Sequence, residues 1–252
     1  MKFYLGIHHP GWIRLCRFPL FVSHRRLSTY KTLPRALGPV AIDSGGFTEL
    51  SLYGAWTTTP RVYAHAVNRY VEEIGNIDWA APQDWMCEPF ITAKTGLSVR
   101  EHMHRTVGNY IDLLSLRPDL PWRPVMQGRH LDDYLYCFEL YERAGIDLTK
   151  QPLVGLGSVC RRQHSTQIQT IVTTLAATGL RLHGFGIKAR GLQRYAASLT
   201  SADSLAWSYQ GRRTPSPHPG HINEANCRIF AETWRTRLLH SLTWQQPTLH
   251  GL

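Results

Sequence analysis

Three aspartates are candidate catalytic residues. Asp43, Asp84 and Asp203 each lie at the end of a short apolar run. Acidic residues are scarce, with 18 Asp and Glu against 28 Lys and Arg, so carboxylates in such positions are candidates for a functional site. Two carboxylates can cut and remake an N-glycosidic bond: one attacks the sugar carbon and holds it covalently, while the other transfers protons on the bases. This chemistry requires no cofactor. The alternative is that the aspartates form structural ion pairs.

A further set of residues is suited to recognising a flat heterocycle. The edge of guanine presents N–H donors and a carbonyl acceptor, which a carboxylate, an amide and backbone groups can satisfy. An aromatic ring can stack on such a base, although Phe47 could equally pack in the core. The predicted base-binding residues are Ser44, Phe47, Asp84, Gln127, Gly128, Gly155, Leu156 and Gly157.

The elements that would position these residues alternate along the chain in the manner of βα units around a parallel sheet. Seven apolar runs are predicted as strands: Phe3 to Ile7, Val40 to Asp43, Ile77 to Pro82, Pro124 to Gln127, Leu153 to Gly157, Leu182 to Ile187 and Ala197 to Asp203. Amphipathic stretches are predicted as helices: Pro60 to Ile74, Val99 to Leu116, Leu131 to Ala144 and Thr166 to Thr178. An eighth strand is either irregular or not recognisable from the pattern.

This pattern over 252 residues predicts a single-domain α/β fold, a TIM-type (β/α)8 barrel, with the C-terminal ends of the strands gathered at one mouth. The barrel is expected to span residues 1–208. Residues 209–252 are expected to form a loop rich in Pro and Arg and a C-terminal helix packed on the barrel. That helix, over 223–242, is predicted to turn the following side chains towards the core: Ile229, Phe230, Trp234, Leu238 and Leu242.

The net charge of +10 points towards a polyanionic partner. Basic residues follow the predicted strand ends, where they could grip phosphates on either side of a target nucleotide. The alternative is a basic surface that is merely well solvated. The predicted phosphate contacts are Arg129, Arg161, Arg162, Lys188, Arg190, Arg212 and Arg213.

Other features of the sequence exclude several classes of protein. The five cysteines form no CxxC pair, which argues against a disulfide framework and a four-cysteine zinc site. No run of about 18 apolar residues occurs, and the N-terminus lacks the features of a signal peptide. We therefore expect a soluble protein of the cytoplasm with no membrane partner.

Several motifs, taken in order, carry a specific resemblance. They are Asp43-Ser44-Gly45-Gly46-Phe47, Val125-Met126-Gln127-Gly128, Gly155-Leu156-Gly157-Ser158 and Gly184-Phe185-Gly186-Ile187. Each motif is weak alone, but the series resembles that of the tRNA-guanine transglycosylase superfamily over about residues 40–205. Three further stretches resemble the compact DpdA family of deazapurine DNA modification proteins of phages and bacteria. They are Trp79 to Pro89, Thr95 to Val99 and Ser201 to Ser208.

The resemblance implies exchange of guanine in DNA for a 7-deazaguanine base, such as 7-cyano-7-deazaguanine, in a bacterial or phage-infected cell. It assigns Asp203 as the nucleophile and Asp43 as the general acid and base. It assigns base recognition to Asp84, Gln127 and Gly155, and ring stacking to Phe47. The target nucleotide would be flipped out of a duplex or presented in a single strand.

One departure from the tRNA enzymes concerns metal. Those enzymes carry a structural zinc site of three Cys and one His after the nucleophile, whereas this region offers His218, His221 and Cys227. These three residues could form a rearranged zinc site or belong to a metal-free loop. Related enzymes often dimerise, so a homodimer is a further expectation.

Three other functions remain open at this point. The first is the same exchange on tRNA. The second is a non-catalytic barrel that binds nucleic acid through its basic rim, with structural carboxylates. The third is a metal-dependent hydrolase with Asp and His at the mouth, which the motif series favours least.

Overall fold

The computed structural model describes residues 1–217 and 222–243. Its strands all run parallel and form one sheet in the order β4-β3-β2-β1-β8-β7-β6-β5. The strands are β1 (Lys2–Ile7), β2 (Leu20–Ser23), β3 (Val40–Asp43), β4 (Ile77–Ala80), β5 (Val125–Met126), β6 (Val154–Leu156), β7 (Leu182–Gly184) and β8 (Ser201–Ser204). This is the strand order of a TIM-type (β/α)8 barrel, as the sequence predicted.

The sheet closes between β4 and β5 without a regular ladder. A single parallel bridge joins Ala80 to Trp122, just before β5. The Ala80 amide donates to the carbonyl of Pro121 at 2.9 Å, and the Arg123 amide donates to the carbonyl of Ala80 at 3.1 Å. The shortest strand of the barrel is thus joined to its neighbour by the residues that precede it.

Helices surround the sheet, but those after β1 and β2 are reduced to single turns. A 3-10 turn at Pro10–Arg14 follows β1, and α1 after β2 has only four residues. The α-helices are α1 (His24–Leu27), α2 (Gly46–Tyr53), α3 (Pro60–Ile74), α4 (Pro89–Thr95), α5 (Val99–Leu116), α6 (Leu131–Arg143), α7 (Thr166–Ala177), α8 (Ala189–Tyr195), α9 (Ala206–Gly211) and α10 (Arg228–Thr243).

The eighth strand that the sequence pattern did not reveal is β2. Its four residues carry too little of the period-2 alternation that marks a strand, and no long amphipathic helix follows it. The basic residues directly after it could not be assigned to the barrel mouth for the same reason. The other seven predicted strands and the four predicted helices are confirmed. The bounds differ most for β7, which ends at Gly184 rather than Ile187, and for β8, which begins at Ser201 because the predicted start at Ala197 lies in a 3-10 turn.

Alternate residues of each strand point into the barrel, as the period of a β-strand requires. The interior below the mouth is largely aromatic and apolar, and one cluster contains Tyr4, Phe21, Ala41, Trp79, Ala81 and Leu153, with Phe185 packed against it. Asp43 lies two residues beyond Ala41 on the same face of β3, and Asp203 in β8 pairs with Tyr4 of this cluster in the neighbouring strand. Both carboxylates therefore lie next to the apolar cluster, at the mouth of the barrel.

The C-terminal helix α10 packs against α8, α9 and the outer side of β1. Its Ala231 and Leu238 are buried, and its Trp234 indole donates to Gln210 at 3.1 Å. The prediction that Ile229 faces the core is wrong, because this side chain is 54% exposed near the start of the helix. The buried face therefore includes Ala231 and Leu238 and leaves Ile229 on the exposed side of α10.

We predict that α10 unfolds together with the barrel. Replacing Leu238, which is 5% exposed, with Ala should lower the free energy of unfolding by about 2–4 kcal/mol in one cooperative transition, because it leaves a cavity. Denaturant unfolding followed by circular dichroism measures this. Ile229→Ala on the exposed side of the same helix is the control and should change stability by less than about 0.5 kcal/mol. A separate transition at a lower denaturant concentration, in Leu238→Ala or in Ile229→Ala, would contradict the prediction.

Candidate active site

A cavity of about 770 Å³ opens at the C-terminal ends of the strands. Its volume lies within the range of small-molecule sites, and such sites occur at this end of (β/α)8 barrels. The predicted residues that line it are Asp43, Phe47, Asp84, Gly157 and Asp203. Residues on its wall that the sequence reasoning left out of the site include His8, Ser23, Arg25, Arg26, Glu88, Ser158, Cys160 and Phe185.

Asp43 ends β3 and lies on the wall of this cavity. Burial raises the pKa of its carboxyl above the ordinary value, and the nearby charge of Asp203 raises it further. Hydrogen bonds from the Gly45 backbone and the Ser23 hydroxyl act in the opposite direction. A carboxyl group in this state can hold a proton at a pH where an exposed aspartate cannot.

Asp84 follows β4 and is held by two side chains. The Ser44 hydroxyl donates to its Oδ1 at 3.3 Å, and the Gln127 amide donates to its Oδ2. Burial, and next the charge of Asp43, raise the pKa of Asp84 to about 7. The carboxyl group is therefore divided between its protonated and ionised forms near neutral pH.

Ser44 and Gln127 stand behind Asp84 and do not form the cavity wall. Gln127 is fully buried, and Gly157 passes so close to it that a side chain at Gly157 would collide with the Gln127 amide. These contacts fix the amide group, with its nitrogen directed at Asp84. Gln127 thus supports the carboxylate that faces the cavity.

The support extends to Ser158 and Glu88, which the sequence reasoning left out of the site. The Ser158 hydroxyl lies 2.6 Å from the Gln127 Oε1 and 3.0 Å from the Glu88 Oε2, and it accepts a hydrogen bond from the Cys87 amide at 2.7 Å. Because a hydroxyl has one proton and Gln127 is nearer, the contact with Glu88 is completed when Glu88 carries a proton. Burial raises the pKa of Glu88, which favours that form.

Ser158 also has an unusual backbone conformation. Its φ of 56° makes it the one residue other than glycine with a left-handed backbone in the part of the chain described. Such a conformation costs about 1–3 kcal/mol and persists where the surroundings impose it. Here it directs the hydroxyl to Gln127 and Glu88, but a serine after a glycine gives no sequence signal of this role.

Asp203 in β8 is 6% exposed and lines the cavity close to Asp43. Its Oδ1 accepts the Gly186 backbone N–H at 2.9 Å. Gly186 has a φ of 62°, which L side chains rarely adopt, so a glycine is needed to present its amide in this way. The cavity therefore holds one carboxylate bound by a backbone donor beside a second whose pKa is raised.

The structure places the other predicted base-binding residues away from the cavity wall. Gly128 makes the tight turn into α6, where a side chain would meet Asp133 and Tyr134. Gly155 lies deeper in the barrel, covered by the Phe185 ring. Leu156 points outward into the main core, because it alternates with its two glycine neighbours.

Two aromatic rings and an arginine form a group at the rim of the cavity. Phe47 in the first turn of α2 is 44% exposed, and Phe90 in α4 is 38% exposed. Their ring centroids are 5.9 Å apart, and the Arg161 guanidinium lies 4.3 Å from the Phe90 ring and 5.5 Å from the Phe47 ring. This rim group offers flat faces to a heterocycle and a cation to a phosphate.

The basic residues predicted to contact phosphates follow strand ends on the mouth side, but they differ in what they bind. Arg162 is engaged, since its guanidinium donates to the Arg129 carbonyl at 2.7 Å and to Gln167 at 2.8 Å. Burial lowers the pKa of His8 on the cavity wall, and Arg212 lies close enough to this histidine to lower that pKa further. The remaining predicted residues, Arg129, Lys188, Arg190 and Arg213, are exposed.

Two cationic residues on the cavity wall escaped the sequence reasoning, namely Arg25 and Arg26 after β2. Arg25 pairs with the buried Glu49 at 2.9 Å. Arg26 is exposed. Both were hidden because the strand that precedes them was not recognised.

The predicted zinc ligands are largely beyond what the structure covers. His218 and His221 lie outside the described residues, and Cys227 is buried next to the start of α10. Residues 1–217 and 222–243 contain no group of three or more His, Cys, Asp or Glu side chains arranged to hold a metal ion.

Over the same residues, no helix has both the length and the apolar character needed to span a membrane.

The fold and the cavity define a (β/α)8 barrel with carboxylates at its mouth, the architecture that the sequence motifs predicted. The family model DpdA, DeoxyPurine in DNA protein A, matches residues 1–250. The chain therefore belongs to the DpdA family, which links it to deazapurine modification of DNA by transglycosylase chemistry. No curated protein matches the chain.

The raised pKa of Asp84 leads to a prediction about stability. Between pH 4 and pH 7 the folded protein keeps a proton that the unfolded chain releases, so this group's contribution to stability falls as pH rises. Asp84→Asn removes the effect. The stability of this variant relative to the wild type should improve by about 1–3 kcal/mol between pH 4 and pH 8.

Denaturant unfolding at several pH values measures the difference. The matched control is Asp112→Asn on the exposed side of α5, which should show no comparable trend. A difference between Asp84→Asn and wild type that stays constant with pH would show that the carboxyl group is not perturbed.

Proposed function

We propose that this protein exchanges guanine in DNA for a 7-deazaguanine base through a covalent aspartyl-sugar intermediate. The observation that carries the proposal is the pair of carboxylates in one cavity, Asp203 bound by a backbone donor and Asp43 with a raised pKa. Membership of the DpdA family supports DNA as the substrate. In this reaction the chain's own side chains carry every step.

In the first half, the Asp203 carboxylate attacks C1′ of the target guanosine. The new C1′–O bond forms as the C1′–N9 bond breaks, and the proton on Asp43 passes to the departing guanine. In the second half, the 7-deazaguanine gives its N9 proton to Asp43. Its N9 then attacks C1′ and frees Asp203. Atoms and charges balance without water or an oxidant.

The raised pKa of Asp43 supports its role as the acid in the first half. The charge of Asp203 helps to keep the proton on Asp43, and that charge disappears when the ester forms. The pKa of Asp43 then falls. Asp43 therefore becomes a stronger acid in the same step in which it gives its proton to the departing guanine.

Asp84 is the proposed reader of the base. An ionised carboxylate on the cavity wall can accept N–H bonds from the edge of guanine or a 7-deazaguanine, which share that edge. Ser44 and Gln127 hold the carboxylate, and Phe47 at the rim is the proposed stacking residue. A base buried in a duplex cannot reach this cavity, so the target nucleotide must be extruded or single-stranded.

The first test is base exchange itself. Wild-type protein is incubated with radiolabelled guanine and equal amounts of guanosine-containing DNA and tRNA, and the label in each polymer is counted. We expect label in DNA and a denaturation-resistant protein–DNA adduct with the wild type, and neither of them with Asp203→Asn. Asp112→Asn on the exposed face of α5 is the matched control and should exchange normally.

Each other outcome identifies a different function. Label confined to tRNA would assign the same chemistry to the other polymer. Exchange by Asp203→Asn would remove the nucleophile assignment. Salt-sensitive binding with neither label nor adduct would point to a non-catalytic barrel.

The cationic rim leads to a separate prediction about binding. Arg26→Ala and Arg161→Ala should each weaken binding of a DNA oligonucleotide and reduce the dependence of log Kd on log salt by about one unit, because each removes one phosphate contact. Fluorescence anisotropy at several salt concentrations measures both quantities. Arg143→Ala is the control, since Arg143 ends α6 on the side away from the mouth. Equal effects of all three substitutions would show that the mouth is not the binding surface.

A further inference from the structure

A fully buried histidine stands directly below the proposed nucleophile. His183 in β7 has 0% exposure, and its Nε2 lies 3.3 Å from the Oδ1 of Asp203. Within the described residues, Nε2 makes no hydrogen bond of good geometry. The Asp203 carboxylate is the charged group that faces this nitrogen.

The hydrogen bond of the other ring nitrogen bears on which tautomer His183 adopts. His183 Nδ1 lies 2.8 Å from the Ser201 hydroxyl, in the neighbouring strand. When this hydroxyl donates to Nδ1, the neutral ring carries its proton on Nε2, facing Asp203. In that tautomer Nε2 is a donor that lies 3.3 Å from the Asp203 Oδ1.

Aromatic rings hold the imidazole in place. The ring centroids of Trp79 and Phe185 are 4.7 Å and 4.8 Å from that of His183, both edge-on. Phe21 and Tyr4 follow at 5.7 Å and 5.9 Å. A ring enclosed in this way has little freedom to turn its Nε2 away from Asp203.

We propose that His183 is a positioning residue that controls the nucleophile, an inference that rests on the proposed function of Asp203. The Gly186 amide donates to Oδ1, and the His183 Nε2 lies 3.3 Å from the same oxygen, which leaves Oδ2 as the oxygen that attacks C1′. When the ester forms, the charge on the carboxyl group is lost. When the incoming base displaces Asp203, the charge returns to it, and both donors stabilise it again.

The proposal predicts different effects of His183 on the rates of the two half-reactions. Without the His183 donor, Asp203 becomes a poorer leaving group, so the second half slows more than the first and the protein–DNA adduct accumulates. Base recognition rests on Asp84 at another strand end, so the KM for the incoming base should stay nearly constant. A residue that only filled space would produce neither pattern.

The kinetic test uses the full-length chain, a guanosine-containing DNA oligonucleotide and 7-cyano-7-deazaguanine. His183→Phe keeps an aromatic ring in the enclosure and removes the donor. It should lower kcat by on the order of 10- to 100-fold and increase the steady-state adduct, with the KM for the base within about twofold of wild type. His183→Gln places an amide nitrogen near the same point and should restore much of kcat.

A second measurement does not depend on activity. Nitrogen NMR of histidine-labelled protein, assigned with His183→Gln, should show protonated Nε2 and unprotonated Nδ1 at His183, and Asp203→Asn should shift the Nε2 resonance. Ser201→Ala should weaken the preference for this tautomer. Wild-type exchange and adduct formation, measured first, test the proposed function alone.

The inference itself is overturned by any of three results. The first is the opposite tautomer at His183. The second is a folded His183→Phe protein that exchanges bases like the wild type and shows no excess adduct. The third is an equal loss of kcat in His183→Phe and His183→Gln, which would reduce His183 to a packing residue.

Discussion

The structure depends on holding three carboxylates around one cavity, with Asp203 buried and Asp43 and Asp84 partly buried. Removing a carboxylate from water costs free energy, and a neighbouring carboxylate raises that cost because like charges repel. Burial and Asp203 raise the pKa of Asp43, and burial together with Asp43 raises the pKa of Asp84. Asp43 and Asp84 therefore each keep a proton at a pH where an exposed aspartate has lost it. Environments that raise the pKa of a carboxyl group in this way allow residues of one type to perform different tasks.

The barrel meets this constraint with hydrogen-bond donors from several strand ends. Gly45 and Gly186 have φ values of 86° and 62°, and this conformation lets their backbone amides serve Asp43 and Asp203. The glycines of the sequence motifs thus stabilise charge as well as form turns. The Trp56 indole donates to the backbone carbonyl of Asp84 at 3.2 Å, which adds a further restraint where the carboxylates meet.

Much of the fold follows from local pattern. The bounds of α3 and α5 agree with the predicted Pro60 to Ile74 and Val99 to Leu116, because each has amphipathic periodicity and a Thr or Ser N-cap. The strand β2 was missed because four residues followed by a one-turn helix do not establish a period. Missing it also hid Arg25 and Arg26, although a run of two arginines is plain in the sequence.

The sequence by itself determined that this is a barrel and that Asp43 and Asp203 lie at its mouth, since the alternation of strands and helices along the chain and the period of two within a strand are local patterns. Only the tertiary structure decided which neighbours reach the cavity. Gln127 lies behind Asp84, and His183 meets Asp203 through the register of β7 against β8. Register and depth depend on how all eight strands pack together, so no short stretch of sequence encodes them.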